Sequence, residues 1–412
     1  MRILIGGAGI GGLTAALSLH AAGFDDVSVL EAAREIREIG VGVNLPPHAV
    51  RELVELGLGE ELAAIGWPTS ELSYFDRSGH LIWAEPRGMK AGYRWPQYSV
   101  HRGRLQQMLL SAVHNRLGAG AVYAGKRIVS VDCTNESSVG IDVIGSTTGE
   151  REHWDCDTFV AADGIRSASR SSIVSRETKL ASNGWVMYRG ATRHTSFLDG
   201  HTMVIVGDET LRIVVYALDA ETLNWLLVRP MATGESIGDL GNWNKLVDAP
   251  SVADYVADWR FSWLDVPQMV RGTLEVYEYP MADIDPLPCW SVNRATLLGD
   301  AAHAMYPFGS NGASQAILDA RVLAYRLAGA RDDVIEGLRL YERDRREPVS
   351  AVQLANRRQA GDVMAKVGAL VRSNAHDKAQ EALKDVERDY KKLAGFDVDT
   401  LNQRASWSVR PA

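Results

Sequence analysis

The stretch Ile3-Leu4-Ile5-Gly6-Gly7-Ala8-Gly9-Ile10-Gly11-Gly12-Leu13 decides the fold. A short apolar run leads into a glycine turn. Residues 13–22 behind it are apolar enough for a buried helix, which Gly23 ends. A second strand is expected over 27–30, which closes a βαβ unit and predicts a parallel, doubly wound sheet. Gly7, Ala8, Gly9 and Gly12 lie within a G-x-G-x-x-G pattern. Gly7 permits the tight bend, Gly9 lets backbone approach a pyrophosphate, and Gly12 lets the helix pack on the strand, while the helix N-terminus stabilises the diphosphate charge. Glu31 closes the second strand, where a carboxylate can accept hydrogen bonds from both hydroxyls of an adenosine ribose. The pattern points to a dinucleotide and does not by itself separate FAD from NAD.

The rest of the 412-residue chain is consistent with that start. With 46% apolar, 8% aromatic and 23% charged residues, it has the composition of a globular protein of two to three structural units. Its 44 Lys and Arg against 52 Asp and Glu leave a net charge of -8, without the basic stripe that a nucleic-acid partner requires. Cys133, Cys156 and Cys289 form no Cys-x-x-Cys pair and are odd in number, so neither a metal cage nor a disulfide framework is expected. No signal-peptide pattern opens the chain and no apolar run reaches the length of a membrane span, so a cytoplasmic protein is expected.

Outward from the βαβ unit, 71–84 alternate around Asp76-Arg77-Ser78-Gly79 and read as a hairpin inserted into the first domain; 101–117 read as a helix. From 185 to 230 strand-like runs (186–191, 202–206, 212–217, 223–228) alternate with polar turns, which predicts an antiparallel sheet. A strand returns at 295–298. A helix over 312–327 follows, with Ala316, Ile317, Ala320, Leu323 and Leu327 on one face and Gly329 as its stop. Residues from 334 onward are charged and largely helical, and 405–412 read as a loose tail. The expected fold is α/β, with α+β character in the second domain. A discontinuous Rossmann-type domain (1–73, 100–177 and 280–333) accompanies an antiparallel substrate domain (74–99 and 178–279) and a C-terminal helical segment (334–412).

The choice between cofactors rests on the returning strand, which ends in Gly299-Asp300-Ala-Ala-His303 and is followed by Pro307-Phe308-Gly-Ser-Asn-Gly312-Ala313 and a helix. A carboxylate at a strand end can hold a polyhydroxyl chain. A helix N-terminus at Gly312 and Ala313 offers N–H groups to a ring that becomes anionic on reduction. That describes a flavin better than a nicotinamide.

Three motifs in this order resemble the single-component flavoprotein aromatic hydroxylases with the para-hydroxybenzoate hydroxylase fold: the glycine fingerprint with Glu31, the segment Asp163-Gly-Ile-Arg-Ser-Ala-Ser-Arg170, and Gly299-Asp300 with its Pro307 loop. The resemblance implies that Gly7, Ala8, Gly9, Gly12 and Glu31 hold the ADP half of a tightly but non-covalently bound FAD. It further implies that Arg102 contacts the flavin, that Asp300 binds the ribityl chain, and that Gly312 and Ala313 face the pyrimidine edge. Asp163 and Arg170 would line the passage of a transient NAD(P)H. Many members carry P-x-x-G-Q-G where this chain has Ser310 and Asn311 in the Gly-Gln positions. That variant, with Glu85-Pro-Arg-Gly88 and the 279–288 segment, resembles the branch of phenazine hydroxylases that form pyocyanin. The implied activity is NAD(P)H- and O2-dependent hydroxylation of a polycyclic or heteroaromatic carboxylate by a monomer or homodimer. A salicylate- or hydroxybenzoate-type hydroxylase, a flavin reductase and a non-enzymatic binding module are the alternatives.

Several residues allow two readings. Gly234-Glu-Ser236-Ile-Gly238 matches a nucleophile elbow but lacks the flanking strand and helix, so a polar turn is expected. His303 reads as structural rather than as a base, no acid or base residue is assigned, and Asp163 could simply cap a helix. Tyr188, Pro307 and Phe308 are candidate substrate contacts. Arg189 could meet a substrate carboxylate or face water. Six tryptophans between 180 and 290 are chiefly core material, with one or two expected at a pocket.

Overall fold

The computed structural model describes residues 1–38, 40–174, 178–232, 245–358, 364–373 and 375–409, with the side chains of Asn183, Phe308, Met364 and His376 outside that description. The serine of the Gly234–Gly238 turn also falls outside it.

Strand Arg2–Gly6 runs through the middle of a six-stranded sheet. Asp26–Glu31 and Thr158–Ala161 flank it in parallel, so that Ile5 stands opposite both Val29 and Val160. Ala295–Leu297 and Val122–Ala124 extend the parallel pairing outward, and the two-residue Ser291–Val292 is antiparallel. Ile3, Leu4, Ile5, Phe159, Val160 and Ala161 are all fully buried, the pattern of strands covered on both faces. Helices Ile10–Ala21 and Gly312–Gly329 pack on each other. Their close approach depends on small residues, since a Cβ on Gly11 would lie 3.2 Å from that of Ala316.

The second sheet has eight strands in the order Lys245–Val247, Val276–Ile284, Leu180–Arg193, Thr222–Pro230, Arg212–Asp219, Thr202–Gly207, Glu71–Phe75 and Leu81–Pro86. It is antiparallel except where Glu71–Phe75 runs beside Thr202–Gly207. Alternation of side chains divides it cleanly. Val204, Val206, Ile213, Val215, Leu223, Trp225 and Leu227 form one core with the helices Ala249–Ala253 and Val266–Arg271, while Met203, Ile205, Val214, Leu226 and Val228 face a cavity.

The hairpin around Asp76–Gly79 forms, and its strands join the second sheet. Glu71–Phe75 and Val276–Ile284 therefore run in that sheet across the positions 73/74 and 279/280. The tail is not loose over 405–409. Trp407 meets Tyr325 edge-on at 5.3 Å, and Arg321 donates to the Ser408 hydroxyl at 2.9 Å, contacts that a polar, unpatterned sequence gives no sign of. The C-terminal helices Met364–Arg372 and His376–Leu393 cover the hairpin, burying Leu72, Tyr74 and Trp83 against Val367, Ala379 and Leu383.

Candidate active site

The glycine turn departs from the strand end as its sequence requires. Gly7 has φ +102°, and a Cβ there would stand 2.4 Å from the Ala162 carbonyl; one on Gly12 would stand 1.9 Å from the Gly7 carbonyl. Gly9 differs, with nothing within 4 Å of a Cβ and extended backbone at the helix N-cap. Two glycines thus serve packing, and the third leaves open space beside the helix N-terminus. Gln106 donates to the Ala8 carbonyl at 2.7 Å. Glu31 accepts from Ala8 N–H at 2.8 Å and from Ala33 N–H at 2.7 Å. It is half-buried, and each of its oxygens keeps a further lone pair for a ligand hydroxyl.

Between the two sheets lies a cavity of about 420 Å³, lined by Gly9, Ile10 and Gly11 from the turn, Arg102, Gly299 and Asp300, and the segment from Met305 to Ala313 except Phe308. Arg102 opens the helix Arg102–Leu117 and is positioned because the strand before it, Gln97–His101, pairs with Gly42–Leu45 and its own N–H donates to the Val41 carbonyl. Asp300 opens a short helix with its carboxylate exposed toward the cavity. Helix Gly312–Gly329 has no side-chain cap, and a Cβ on Gly312 would meet nothing within 4 Å. Its unpaired first-turn N–H groups and positive dipole end therefore adjoin the open space by Gly312 and Ala313.

Asp163 and Arg170 have other occupations. One Asp163 oxygen accepts from the Ser169 N–H and hydroxyl, just ahead of the helix Arg170–Val174, while its other oxygen has no partner. Arg170 is buried and donates to the carbonyls of Gly164, Ile165, Asp300 and Ala301. It braces the Asp300 turn instead of lining a passage. His303 is buried outside the cavity lining, with its Nε2 2.6 Å from the Asp319 carboxylate, which Arg345 also contacts.

The cavity's other wall is the second sheet. Arg189 points into it, donating to the Gly42 carbonyl at 2.9 Å over the Tyr279 ring, while its Nε is buried without a partner. Burial pushes this guanidinium below its usual range, opposed by the neighbouring Tyr216 and Tyr279. Tyr188, one residue earlier, necessarily faces the other way. Its ring lies in the second core beneath Arg229, which donates to its hydroxyl at 2.7 Å, so Tyr188 does not reach the cavity. Pro307 stands exposed at the rim. Among the described residues no tryptophan lines the cavity; Trp225 and Trp290 are fully buried, and Trp185 lies under Arg212, whose guanidinium burial pushes down to about 10.

Sequence reasoning missed the wall supplied by Leu383, Val386 and Glu387 of the C-terminal helix. It also missed Asn224, whose side chain accepts the Gly42 N–H at 2.6 Å and pins the two domains together. A polar residue inside the apolar strand Thr222–Pro230 was the available signal for Asn224.

Two sheets meeting at a glycine turn, an exposed carboxylate at a strand end and an uncapped helix N-terminus are what a flavin dinucleotide site needs: room for a diphosphate, an acceptor for polyol hydroxyls and donors for a reducible ring. The donor set fits FAD. Residues 1–236 and 287–355 match the FAD binding domain family, and the chain belongs to it. It is 44% identical over 366 residues to the phenazine 1,6-dicarboxylic acid hydroxylase of Lysobacter antibioticus, covering 86% of this chain and 89% of that one. It is 30% identical to 3-hydroxybenzoate 6-hydroxylase 1 of Aquipseudomonas alcaligenes, covering 86% and 88%. The structure of Klebsiella pneumoniae HpxO complexed with FAD and uric acid superimposes with a TM-score of 0.78 at 22% identity over 95% and 96% of the two chains. The protein is a flavin-dependent monooxygenase with FAD as its cofactor, a class that excludes the reductase and the binding module. Among the described residues no helix is long and apolar enough to cross a membrane.

Proposed function

We propose that this monooxygenase hydroxylates a planar, phenazine-like aromatic carboxylate, with NAD(P)H as transient reductant and Arg189 as the carboxylate anchor. The observation that carries this reading is a half-buried guanidinium whose Nε is buried and unpartnered, set in a wall of Met203, Ile205, Val214, Leu226 and Val228. An apolar wall accepts a flat ring, and a partly desolvated cation with a spare donor pairs with one of its carboxylates. The 44% identity to a phenazine dicarboxylic acid hydroxylase supports the same choice.

In this reading Gly7, Ala8, Gly9 and Gly12 receive the diphosphate of FAD, Glu31 the ribose and Asp300 the ribityl hydroxyls. Arg102 and the N–H groups of Gly312 and Ala313 stabilise negative charge at the pyrimidine edge. FAD, when bound, supplies acceptance of two electrons from NAD(P)H and activation of dioxygen. The chain's part is to orient the ring through Arg189 and keep water out with the apolar sheet face.

Steady-state kinetics on matched carboxylated and uncharged rings tests the anchor. Arg189→Ala should raise KM for the carboxylated member about ten- to a hundredfold and that of its partner about twofold. Equal losses on both would remove Arg189 from the substrate site, and NAD(P)H oxidation without oxygen insertion into any ring would overturn the substrate class.

A further inference from the structure

We propose that Tyr390, far from the fingerprint in sequence and lying on the C-terminal helix His376–Leu393, is a positioning residue for the turn 306–311 at the flavin site. The turn is tied from beneath at two carbonyls. Asn356 donates to the Tyr306 carbonyl at 3.1 Å, and Asn311 donates to the Gly309 carbonyl at 3.1 Å. Tyr390 joins these two amides, because its hydroxyl accepts from Asn311 at 2.9 Å and donates to Asn356 at 2.8 Å. The hydroxyl thus closes a chain of hydrogen bonds from one end of the turn to the other. Within the segment it holds, Pro307 and Gly309 line the cavity.

Packing makes the same point independently. A Cβ on Gly309 would stand 2.3 Å from the Tyr390 hydroxyl, so the turn rests directly on that oxygen. Gly309 and Ser310 adopt positive φ of 72° and 54° in succession, a conformation that persists only when the surroundings impose it. Asn311 is fully buried, and its carboxamide oxygen also faces His48 at 3.2 Å and Gln315 at 3.3 Å, so its orientation is fixed from several sides. Burial holds the Tyr390 phenol well above its usual range, which keeps the bridging proton in place at ordinary pH. The helix that carries Tyr390 also presents Leu383, Val386 and Glu387 to the cavity. Residues 383, 386, 387 and 390 share one helical stripe, so a single face forms pocket wall and supports the flavin turn.

The proposal rests on the reading that residues 307–313 face the flavin, and the experiment separates the two. Tyr390→Phe is compared with Tyr93→Phe, a control in the same C-terminal cluster whose buried hydroxyl donates to the Phe396 carbonyl at 2.6 Å, and with Asp300→Ala. Apo-protein melting, FAD affinity by flavin fluorescence and the visible absorption envelope of bound FAD are measured for each. Both tyrosine variants should lower the melting temperature comparably. Only Tyr390→Phe should also weaken FAD, by about fivefold for one lost hydrogen bond, and shift the absorption envelope; Asp300→Ala should weaken FAD more. FAD affinity within twofold of wild type and an unchanged envelope in Tyr390→Phe, with Asp300→Ala still impaired, overturns the positioning role and leaves the cofactor reading standing. Wild-type FAD binding in both variants overturns the reading of the site and this proposal with it. If Tyr390→Phe does not fold, Asn356→Ser removes the same bridge while keeping the ring, and is held to the same outcomes.

Discussion

The two walls of the cavity carry their chemistry in different currencies. On the side of the six-stranded sheet the working groups are largely backbone: absent Cβ atoms at Gly7, Gly9 and Gly12, and N–H groups at the ends of two helices. On the side of the eight-stranded sheet they are side chains, and the alternation of the strand decides which ones count. Arg189 enters the cavity and Tyr188 enters the second core. Backbone chemistry leaves a residue-type signature that can be read at once, because only glycine serves. Side-chain chemistry cannot be read until the face is known.

The glycines offer the largest way to break this contrast. Gly12→Ala forces a Cβ against the Gly7 carbonyl and should destabilise the apo-protein by about 3 kcal/mol, at the upper end of overpacking costs, with loss of FAD. Gly9→Ala meets no protein atom. It should melt within a degree or two of wild type yet bind FAD at least about tenfold more weakly, since the space its methyl takes is the space proposed for the diphosphate. Apo-protein calorimetry with FAD titration separates the two. A Gly9→Ala protein with wild-type affinity would place the diphosphate elsewhere.

Legibility follows the same division. The parallel sheet was readable at 3–5, 27–30 and 295–298 because strands buried on both faces are uniformly apolar, whereas its members Thr158–Ala161 and Val122–Ala124 are too short to stand out. The antiparallel strands were readable as strands, at 186–191 for instance, but the observed Leu180–Arg193 is longer at both ends. Tyr188 and Arg189 are both candidates in the sequence because nothing there says which parity faces inward. Resemblance puts Asp163 and Arg170 beside the passing reductant. The geometry ties Asp163 to Ser169 and makes Arg170 a brace, a role set by the carbonyls of Asp300 and Ala301 more than a hundred residues away. The C-terminal wall had no local motif at all.

His48 sharpens the comparison on the backbone side, where a titratable group is hidden behind the turn. It is fully buried, stacked on Phe396 at 4.6 Å and 3.2 Å from the Asn311 carboxamide. Burial first, and then the charge of Arg404, push its pKa from 6.5 down to about 3, against the hydrogen bond to Asn311. The folded protein therefore holds it neutral while the unfolded chain takes up a proton below pH 6.5. Its contribution to stability is complete above 6.5 and is lost as pH falls toward about 3, at up to about 1.4 kcal/mol per pH unit. Denaturant midpoints of wild type and His48→Asn between pH 7 and 5 should converge as pH falls. Parallel curves would mean that His48 titrates normally.

The smallest effect is the most pointed test of the parity argument. Tyr188 adjoins the proposed anchor in sequence, yet its hydroxyl accepts from Arg229, which lies 5.5 Å over its ring and 4.7 Å over that of Tyr255. Tyr188→Phe keeps the ring and removes that hydrogen bond, so stability should fall by about 1 kcal/mol. KM for carboxylated and uncharged rings alike should stay within twofold of wild type, because no atom of the removed group faces the cavity. The same matched pairs used for Arg189→Ala provide the measurement. A selective rise in KM for carboxylated rings would show that the strand presents its other face to the substrate, and the assignment of Arg189 as anchor would then fall with it.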